Sequence, residues 1–211
     1  MLNHLLSDYY HQMEDYSVNH TFPQKIAARL ISTKYCVVSS LIQFPRRLLR
    51  MADEAAATLL TLEKKHLWKA VVHLYMSIGD PLILIALGVL GLYSPLKAIE
   101  TIKRISAYMD HEIYFNPNTV YLMHSWQGRI LSPIVGITYA LDNALQGIRE
   151  LITSTFSNKR ENEKERSLAS DHFSNIKFTF LTGINGLWNP RDRELLSIYE
   201  IDVNSAPLYD T

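Results

Sequence analysis

Apolar residues recur at helical spacing along most of the chain. Residues 1–16 carry leucine, tyrosine and methionine three and four positions apart, which predicts a short amphipathic helix. A second periodic stretch begins near Pro23, and a longer one runs from about residue 46 to 78. The segments after Pro95 and Pro133 show the same spacing. The pattern predicts a mainly α protein, a helical bundle around a very apolar central helix.

Several prolines follow a residue that can cap a helix. Asp, Ser and Asn side chains accept hydrogen bonds from the free amides of a first turn, and proline at the next position lacks only a donor that would be unused. This pattern predicts helix starts at Pro81, Pro95, Pro117, Pro133 and Pro190.

The character of the chain changes after residue 156. Residues 157–170 are rich in charges of both signs, which predicts a solvated linker or an exposed helix extension. The sequence therefore divides into a helical domain over 1–156, a charged linker over 157–170 and a C-terminal appendage over 171–211.

The appendage contains a short alternating pattern. Ile176, Phe178 and Phe180 alternate with polar residues, and Asn185-Gly186 follows. Alternation of this kind is typical of a β-strand, and Asn-Gly is typical of a tight turn. We therefore expect that the appendage contains a strand.

The most apolar segment is residues 78–96, IGDPLILIALGVLGLYSPL, with its single charge at Asp80. A helix needs about 20 mainly apolar residues to cross ~30 Å of hydrocarbon, whereas residues 81–93 cover only about 20 Å. Asp80 lies at the edge of this run, where it can cap a helix and reach lipid headgroups at a reduced cost. The predicted insertion residues are Asp80, Leu82, Ile83, Leu84, Ile85, Leu87, Val89, Leu90 and Leu92.

Two interpretations of this segment stay open. It inserts into a bilayer, or it is the buried core helix of a soluble α-domain. Lysine and arginine flank both of its ends, so the positive-inside rule gives no orientation. A second uncharged stretch at 130–141 is too short to span and suits a re-entrant, surface or core helix. The N-terminus lacks the pattern of a secretory signal, so we expect a membrane-associated protein, or a cytoplasmic one if the central helix is buried.

Arg46, Arg47 and Arg50 flank two leucines in the motif FPRRLLR. Arginines in this setting can contact anionic lipid while the leucines enter the interface. The alternative is a solvated first turn of the long predicted helix. We expect these arginines to contact lipid.

The run that ends in GLYSP at residues 91–95, followed by the amphipathic LKAIETIKRISAYM at 96–109, resembles segments of uncharacterised hydrophobic proteins from Chlamydia-like intracellular bacteria. The resemblance implies a membrane-linked protein of unknown role at a host-facing membrane. The chain departs from inclusion-membrane proteins, because it lacks their two adjacent long hydrophobic lobes. The resemblance assigns no functional residue.

Charge and candidate chemistry narrow the function further. A formal net charge of +0 argues against a dedicated nucleic-acid binder. The single cysteine, Cys36, excludes an intramolecular disulfide and is expected to be buried. His111, Glu112 and His124 are weak metal candidates, but the sequence HEIYF lacks the second histidine of HExxH. Phosphate-binding glycine loops and the GxSxG hydrolase motif are absent from the sequence.

These patterns predict no catalytic residue and no cofactor, and they disfavour an enzyme. We expect a membrane-associated structural or interaction protein without catalysis of its own, with the membrane and a protein as partners and no nucleic acid. The alternative is a soluble all-helical domain that binds a protein partner or an apolar ligand.

Overall fold

A computed structural model describes residues 22–95, 97, 98, 100, 101, 104, 120–155 and 159–204. The described residues are mainly helical and contain no strand, which confirms the predicted fold class. The helices are α1 (Phe22–Thr61), α2 (Lys64–Tyr93), α3 (Val120–Met123), α4 (Trp126–Ser154), α5 (Lys159–Asn185) and α6 (Pro190–Asn204). The predicted helix over 1–16, the predicted start at Pro117 and the metal candidates His111 and Glu112 lie outside the described residues.

A tight turn separates α1 from α2 and corrects the single helix predicted over 46–78. Leu62 has a positive φ of 57°, and its N–H donates to the Thr58 carbonyl at 2.8 Å. The Thr61 hydroxyl accepts a hydrogen bond from the Glu63 N–H at 3.2 Å. The left-handed conformation at a helix end usually falls on glycine or asparagine. Because leucine occupies it here, the sequence carried no signal for the break.

Three prolines lie inside helices: Pro45 in α1, Pro81 in α2 and Pro133 in α4. The predicted helix starts at Pro81 and Pro133 are therefore wrong, whereas Pro190 is the first residue of α6 as predicted. The residues before Pro81 and Pro133 do not cap, because their side chains bind neighbouring helices instead. Asp80 binds Arg47 of α1, and the Ser132 hydroxyl donates to the Gly183 carbonyl of α5 at 3.0 Å.

Residues predicted as a strand belong to α5, so this prediction is wrong. Thr179, Thr182 and Gly183 are buried at helical spacing, whereas Phe178 and Phe180 are exposed. The alternating apolar residues therefore do not form a buried face. Residues 159–170, assigned to the charged linker, form the first turns of α5, which is the helix extension considered as an alternative. The division into domains stays a prediction.

The four long helices pack in the order α2, α1, α4, α5, each antiparallel to its neighbour. Two contacts fix the first pair at opposite ends. The Thr33 hydroxyl donates to the Gly88 carbonyl at 3.1 Å, and His66 Nδ1 lies 2.6 Å from Glu54 Oε2. Residue numbers increase along α1 in the direction in which they decrease along α2, so the two helices are antiparallel.

The inner pair, α1 and α4, joins two helical hairpins. The Lys34 ammonium donates to the Thr153 carbonyl at 2.6 Å, and the Thr138 hydroxyl donates to Asp53 Oδ1 at 2.7 Å. Because α1 and α4 each contact two long helices, most of their circumference is covered. Their interfaces form the interior of the bundle.

Between α4 and α5 the backbones approach closely at two glycines. A Cβ added to Gly136 would lie 2.5 Å from the Gly183 Cα, and a Cβ added to Gly183 would lie equally close to the Gly136 Cα. Neither backbone can move away as a flexible side chain would. Close approach at small residues is typical of helix packing in lipid and in protein.

One end of the bundle has a small apolar core where α3 and α6 join it. The Arg193 guanidinium of α6 donates to the carbonyls of Met123 at 2.9 Å and Gly186 at 2.8 Å. These bonds tie α6 to α3 and to the α5–α6 turn. The buried core residues are Ala57, Leu122, Met123, Leu131, Val135, Tyr139 and Leu196.

Candidate functional site: a buried charged belt within an apolar surface

Charged side chains occupy the interior of this bundle. Soluble proteins almost never bury lysine, arginine, aspartate or glutamate fully unless the group is paired. Most of those buried here lie on α1 and α4, between the helices that cover them. The buried charged residues are Arg46, Arg47, Arg50, Asp53, Glu54, Asp80, Asp142, Arg149, Glu150 and Arg193.

Asp80 and Arg47 form the contact between α2 and α1 at the centre of the bundle. Arg47 Nε lies 2.5 Å from Asp80 Oδ2, and the Gln43 amide donates to the same oxygen at 2.8 Å. Arg47 Nη1 lies 3.2 Å from His73 Nδ1, and since a guanidinium only donates, that ring nitrogen accepts. Asp80 is 0% exposed and Arg47 is 1% exposed, so water does not screen the pair.

Arg46 and Asp142 form the equivalent contact between α1 and α4. The guanidinium donates from Nε to Oδ1 at 2.6 Å and from Nη2 to Oδ2 at 3.2 Å. This bidentate geometry is among the strong charge-assisted pairings in proteins. The Gln146 amide adds a third hydrogen bond to Oδ2 at 3.1 Å. The carboxylate therefore has donors on both oxygens.

One turn further along α1, Arg50 lies over the ring of Tyr139 at 4.4 Å from its centroid. A guanidinium over an aromatic face is attracted by the ring quadrupole, more strongly where both are out of water. Arg50 Nη1 also lies 3.7 Å from Asp53 Oδ2, and the Thr138 hydroxyl donates to Asp53 Oδ1. This group of side chains continues the charged contact between α1 and α4.

The belt extends to α5 through His172, whose Nδ1 lies 3.2 Å from Asn143 Oδ1. The Asn143 amide nitrogen donates to the Tyr139 carbonyl, which fixes Oδ1 as the acceptor and His172 Nδ1 as the donor.

These contacts form what we call the charged belt: Arg46, Arg47, Asp80, Asp142 and His172 with the polar groups that bind them. The belt crosses all four long helices at one level, from α2 through α1 and α4 to α5. Two further buried pairs, Glu54–His66 and Arg149–Glu150, lie toward the ends of the bundle.

The belt corrects two sequence predictions. Arg46, Arg47 and Arg50 are buried in ion pairs rather than placed on a surface, so they do not contact lipid. Asp80 does not cap a helix or reach headgroups, because α2 continues on both sides of it and Arg47 holds its carboxylate inside. The partner charges of Arg47 and Arg46 lie on other helices, 33 and 96 positions away in the chain, whereas Arg50 pairs with Asp53 of its own helix.

The outward surface of three helices carries no exposed charge over a long distance. This holds for residues 30–61 of α1, 66–93 of α2 and 130–152 of α4, all of which the structure describes. The large apolar side chains exposed there are Leu30, Val37, Leu41, Phe44, Leu59, Leu67, Trp68, Val71, Leu74, Tyr75, Ile78, Leu82, Ile85, Val89, Leu92, Tyr93, Ile130, Ile137, Leu141, Ile148, Leu151 and Ile152. We call these surfaces the apolar faces. The polarity of these three helices is therefore inverted relative to a typical soluble protein.

The predicted insertion residues divide between two sides of α2. Asp80, Leu84 and Leu87 are buried, and Ile83 and Leu90 are half-buried. The outward members are Leu82, Ile85, Val89 and Leu92. Among the described helices, α2 alone is long and apolar enough by composition to cross a membrane, and 33% of its most apolar window is buried.

Helix α5 differs from the other three. Glu163, Arg166, Asp171 and Lys177 are exposed on it. Its apolar exposed residues, which include Phe178 and Phe180, lie mostly toward its C-terminal half. The outward side of α5 is thus a mixed surface.

The remaining chemical candidates stand apart. His124 lies in an exposed turn between α3 and α4, and within the described part of the chain no cluster of three or more His, Cys, Asp or Glu side chains could hold a metal ion. Cys36 is buried, as expected, and packs at the position of Gly88 on α2.

Comparison with known proteins adds no assignment, since no family model, curated protein or solved structure matches the chain. The charged belt and the apolar faces are therefore interpreted from their own chemistry.

Proposed function

We propose that the protein is a membrane-inserted helical bundle with a structural or interaction role and no catalysis of its own. The observation that carries the proposal is the inverted polarity: α1, α2 and α4 expose apolar faces while their charges pair inside. A bilayer offers an apolar medium on several sides of one bundle. In lipid, charged side chains face the bundle interior and pair with one another.

The energetics favour this arrangement over exposure of the same helices to water. An unpaired aspartate, lysine or arginine at the bilayer centre costs about 2.5–3.5 kcal/mol on insertion scales. The bidentate pairing of Arg46 with Asp142 and the single contact of Arg47 Nε with Asp80 Oδ2 keep these charges paired and away from the lipid. Leucine, isoleucine, phenylalanine and valine instead gain about 0.3–0.6 kcal/mol each on insertion.

The lengths of the apolar faces match a bilayer. From Leu67 to Tyr93 α2 rises about 39 Å, and from Ile130 to Ile152 α4 rises about 33 Å. A hydrocarbon core is about 30 Å thick, and about 40–45 Å with its headgroup regions. Both helices are thus long enough to cross it with their charged side chains still inside the bundle.

Two parts of the proposal concern partners. The exposed charges on α5 disfavour contact with lipid, and we propose that a protein bound on this mixed surface gives the molecule its interaction role. A host-facing membrane, which the resemblance to proteins of Chlamydia-like bacteria implies, stays a prediction.

Extraction of membranes from cells that express the full chain tests the proposal. We expect the protein to sediment with membranes, to stay there in alkaline carbonate and to be released by detergent. Recovery in the soluble fraction without detergent would contradict insertion and favour the alternative, a soluble helical domain that binds a partner through its apolar faces.

A further inference from the structure

All three tryptophans of the chain lie at one end of the bundle. Trp68 is in the first turns of α2, Trp126 is the first residue of α4, and Trp188 is in the turn between α5 and α6. They come from three separate connections of the chain, 58 and 62 positions apart in the printed sequence. Their shared level is therefore a property of the fold.

Packing contacts fix this common end. Glu54 and His66 join the end of α1 to the start of α2. Ala57 of α1 packs in one core with Met123, which precedes α4. Arg193 then binds both Met123 and Gly186, which places the α5–α6 turn beside them. We call this region the tryptophan end.

The indole rings at this end face outward. Trp68 is 65% exposed, Trp126 is 63% exposed and Trp188 is 66% exposed. Each has an exposed cation three or four positions away: Lys64, Arg129 and Arg191, respectively. Exposed acids are also present, as at Glu194, and Glu63 pairs with Lys65.

The apolar face of α2 begins at the tryptophan end and ends at a second aromatic residue. Tyr93 is largely exposed, and the Lys97 ammonium lies 5.8 Å from its ring centroid. Trp68 and Tyr93 are separated by about 38 Å along the helix, close to the distance between the two headgroup regions of a bilayer. An aromatic residue with a nearby cation thus marks each end of the face.

We infer that the tryptophan end lies at the headgroup level of the membrane and binds anionic phospholipid through Lys64, Arg129 and Arg191. The inference rests on the proposed function, and it adds which end of the bundle meets the interface and which lipid it selects. Tryptophan is enriched at membrane–water interfaces because its ring is apolar and its N–H is polar. Cations near an anionic surface are attracted to it.

A bilayer interface explains these residues better than a protein partner does. The exposed Trp68, Trp126 and Trp188 lie at one end of the bundle, where Trp68 and Trp126 belong to the helices that carry the apolar faces of α2 and α4. A protein partner would favour a compact patch with a buried centre. A lipid interface instead surrounds the molecule at one depth.

Tryptophan fluorescence of the full chain in vesicles tests the inference, because every tryptophan reports the same end. The vesicles are made with phosphatidylcholine brominated either near the glycerol end or near the methyl end of the acyl chain. We expect stronger quenching by the bromines near the glycerol end. Variants that retain a single tryptophan, with the other two changed to phenylalanine, should give the same order for Trp68, Trp126 and Trp188.

Lipid selection is measured by exchange of brominated phosphatidylcholine for brominated phosphatidylglycerol at equal mole fraction. We expect the anionic lipid to quench more strongly, with an apparent preference of up to about fivefold for each cation. The triple variant Lys64→Gln, Arg129→Gln, Arg191→Gln should lose this preference. The control Arg166→Gln, Lys177→Gln on α5 should keep it.

Flotation of the same vesicles distinguishes a failure of this inference from a failure of the proposed function. If the protein floats but the glycerol-end bromines quench no more than the methyl-end ones, or quench nothing, the tryptophan end is not at the interface and the proposed function stands. Equal quenching by brominated phosphatidylcholine and brominated phosphatidylglycerol would overturn the anionic lipid site. An unchanged preference for the anionic lipid in the triple variant would overturn it as well. Failure to float contradicts the proposed function itself.

Discussion

At the scale of single residues, each belt charge has a partner on a neighbouring helix. A buried charge that loses its partner remains without water, so breaking such a pair costs more than the pair contributes. Replacement of both members by apolar side chains of similar size removes the problem instead. The belt thus makes each of its charges dependent on its partner.

The Arg46–Asp142 pair gives the clearest test of this dependence. We expect Asp142→Leu alone to lower the free energy of unfolding by about 3–5 kcal/mol, because it leaves Arg46 buried and unpaired. The double variant Arg46→Met, Asp142→Leu should recover most of that loss. Unfolding in detergent, followed by circular dichroism, gives the double-mutant cycle. Additive losses in the double variant would show that the two residues do not depend on each other.

At the scale of elements, the apolar faces depend on which way the charges point rather than on how many there are. Averaged over a window, α4 includes Asp142, Arg149 and Glu150, although all of them are buried. Composition therefore identifies α2 alone, and the sequence suggested only 130–141 as a second apolar stretch. The signal that could have located the belt is the presence of opposite charges on the inward stripes of separate helices.

Outward positions on α4 distinguish a lipid environment from water. Ile137→Arg and Leu141→Arg place a charge on the apolar face, which should cost about 2.5–3.5 kcal/mol near the bilayer centre and reduce the membrane-bound fraction. In water the same changes at exposed sites would be nearly neutral. Carbonate-resistant protein is quantified by immunoblot, with Ser174→Arg on the mixed surface of α5 as the control. An undiminished membrane fraction in both α4 variants would argue against lipid contact.

The α4–α5 crossing depends on two glycines. Gly183→Ala would place a Cβ against the Gly136 backbone, and overpacking of this kind costs about 1–3 kcal/mol. Gly79→Ala is the matched control, because its added Cβ meets only the Met76 sulfur at 3.7 Å. Thermal unfolding should therefore separate the two variants. Equal midpoints would mean that the helices at the crossing move apart without cost.

Several elements could be predicted from the sequence, and others could not. Helical periodicity predicts the fold class and the start of α1 near Pro23, and the Asn189-Pro190 capping pattern predicts the start of α6 at Pro190. The sequence does not predict the break at Leu62, because no glycine marks it, and it wrongly predicts a helix start at Pro81, because Asp80 is a residue type that can cap a helix. The second error has a tertiary cause, since the Asp80 carboxylate binds Arg47 of another helix and does not cap its own.

At the scale of the whole molecule, the burial of charged side chains explains both why the sequence does not predict the charged belt and why we propose a bilayer around the apolar faces. The sequence analysis predicts a surface position for Arg46, Arg47 and Arg50. Without a fold, only water and lipid headgroups are available as partners for these cations. Folding supplies Asp142, Asp80 and the Tyr139 ring instead. With these charges inside, the outward sides of α1, α2 and α4 are apolar, and a bilayer becomes the medium that suits them.

The most direct test of membrane insertion measures which medium, lipid or water, surrounds the apolar faces. In a Cys36→Ala background, spin labels at Leu41→Cys, Ile85→Cys and Ile137→Cys report contact with oxygen, which partitions into lipid, or with a polar nickel chelate, which stays in water. In vesicles we expect labels at all three positions to relax with oxygen and not with nickel, while Leu84→Cys, which faces α1, is shielded from both. Relaxation by nickel at the three outward positions would contradict insertion of the apolar faces into a bilayer.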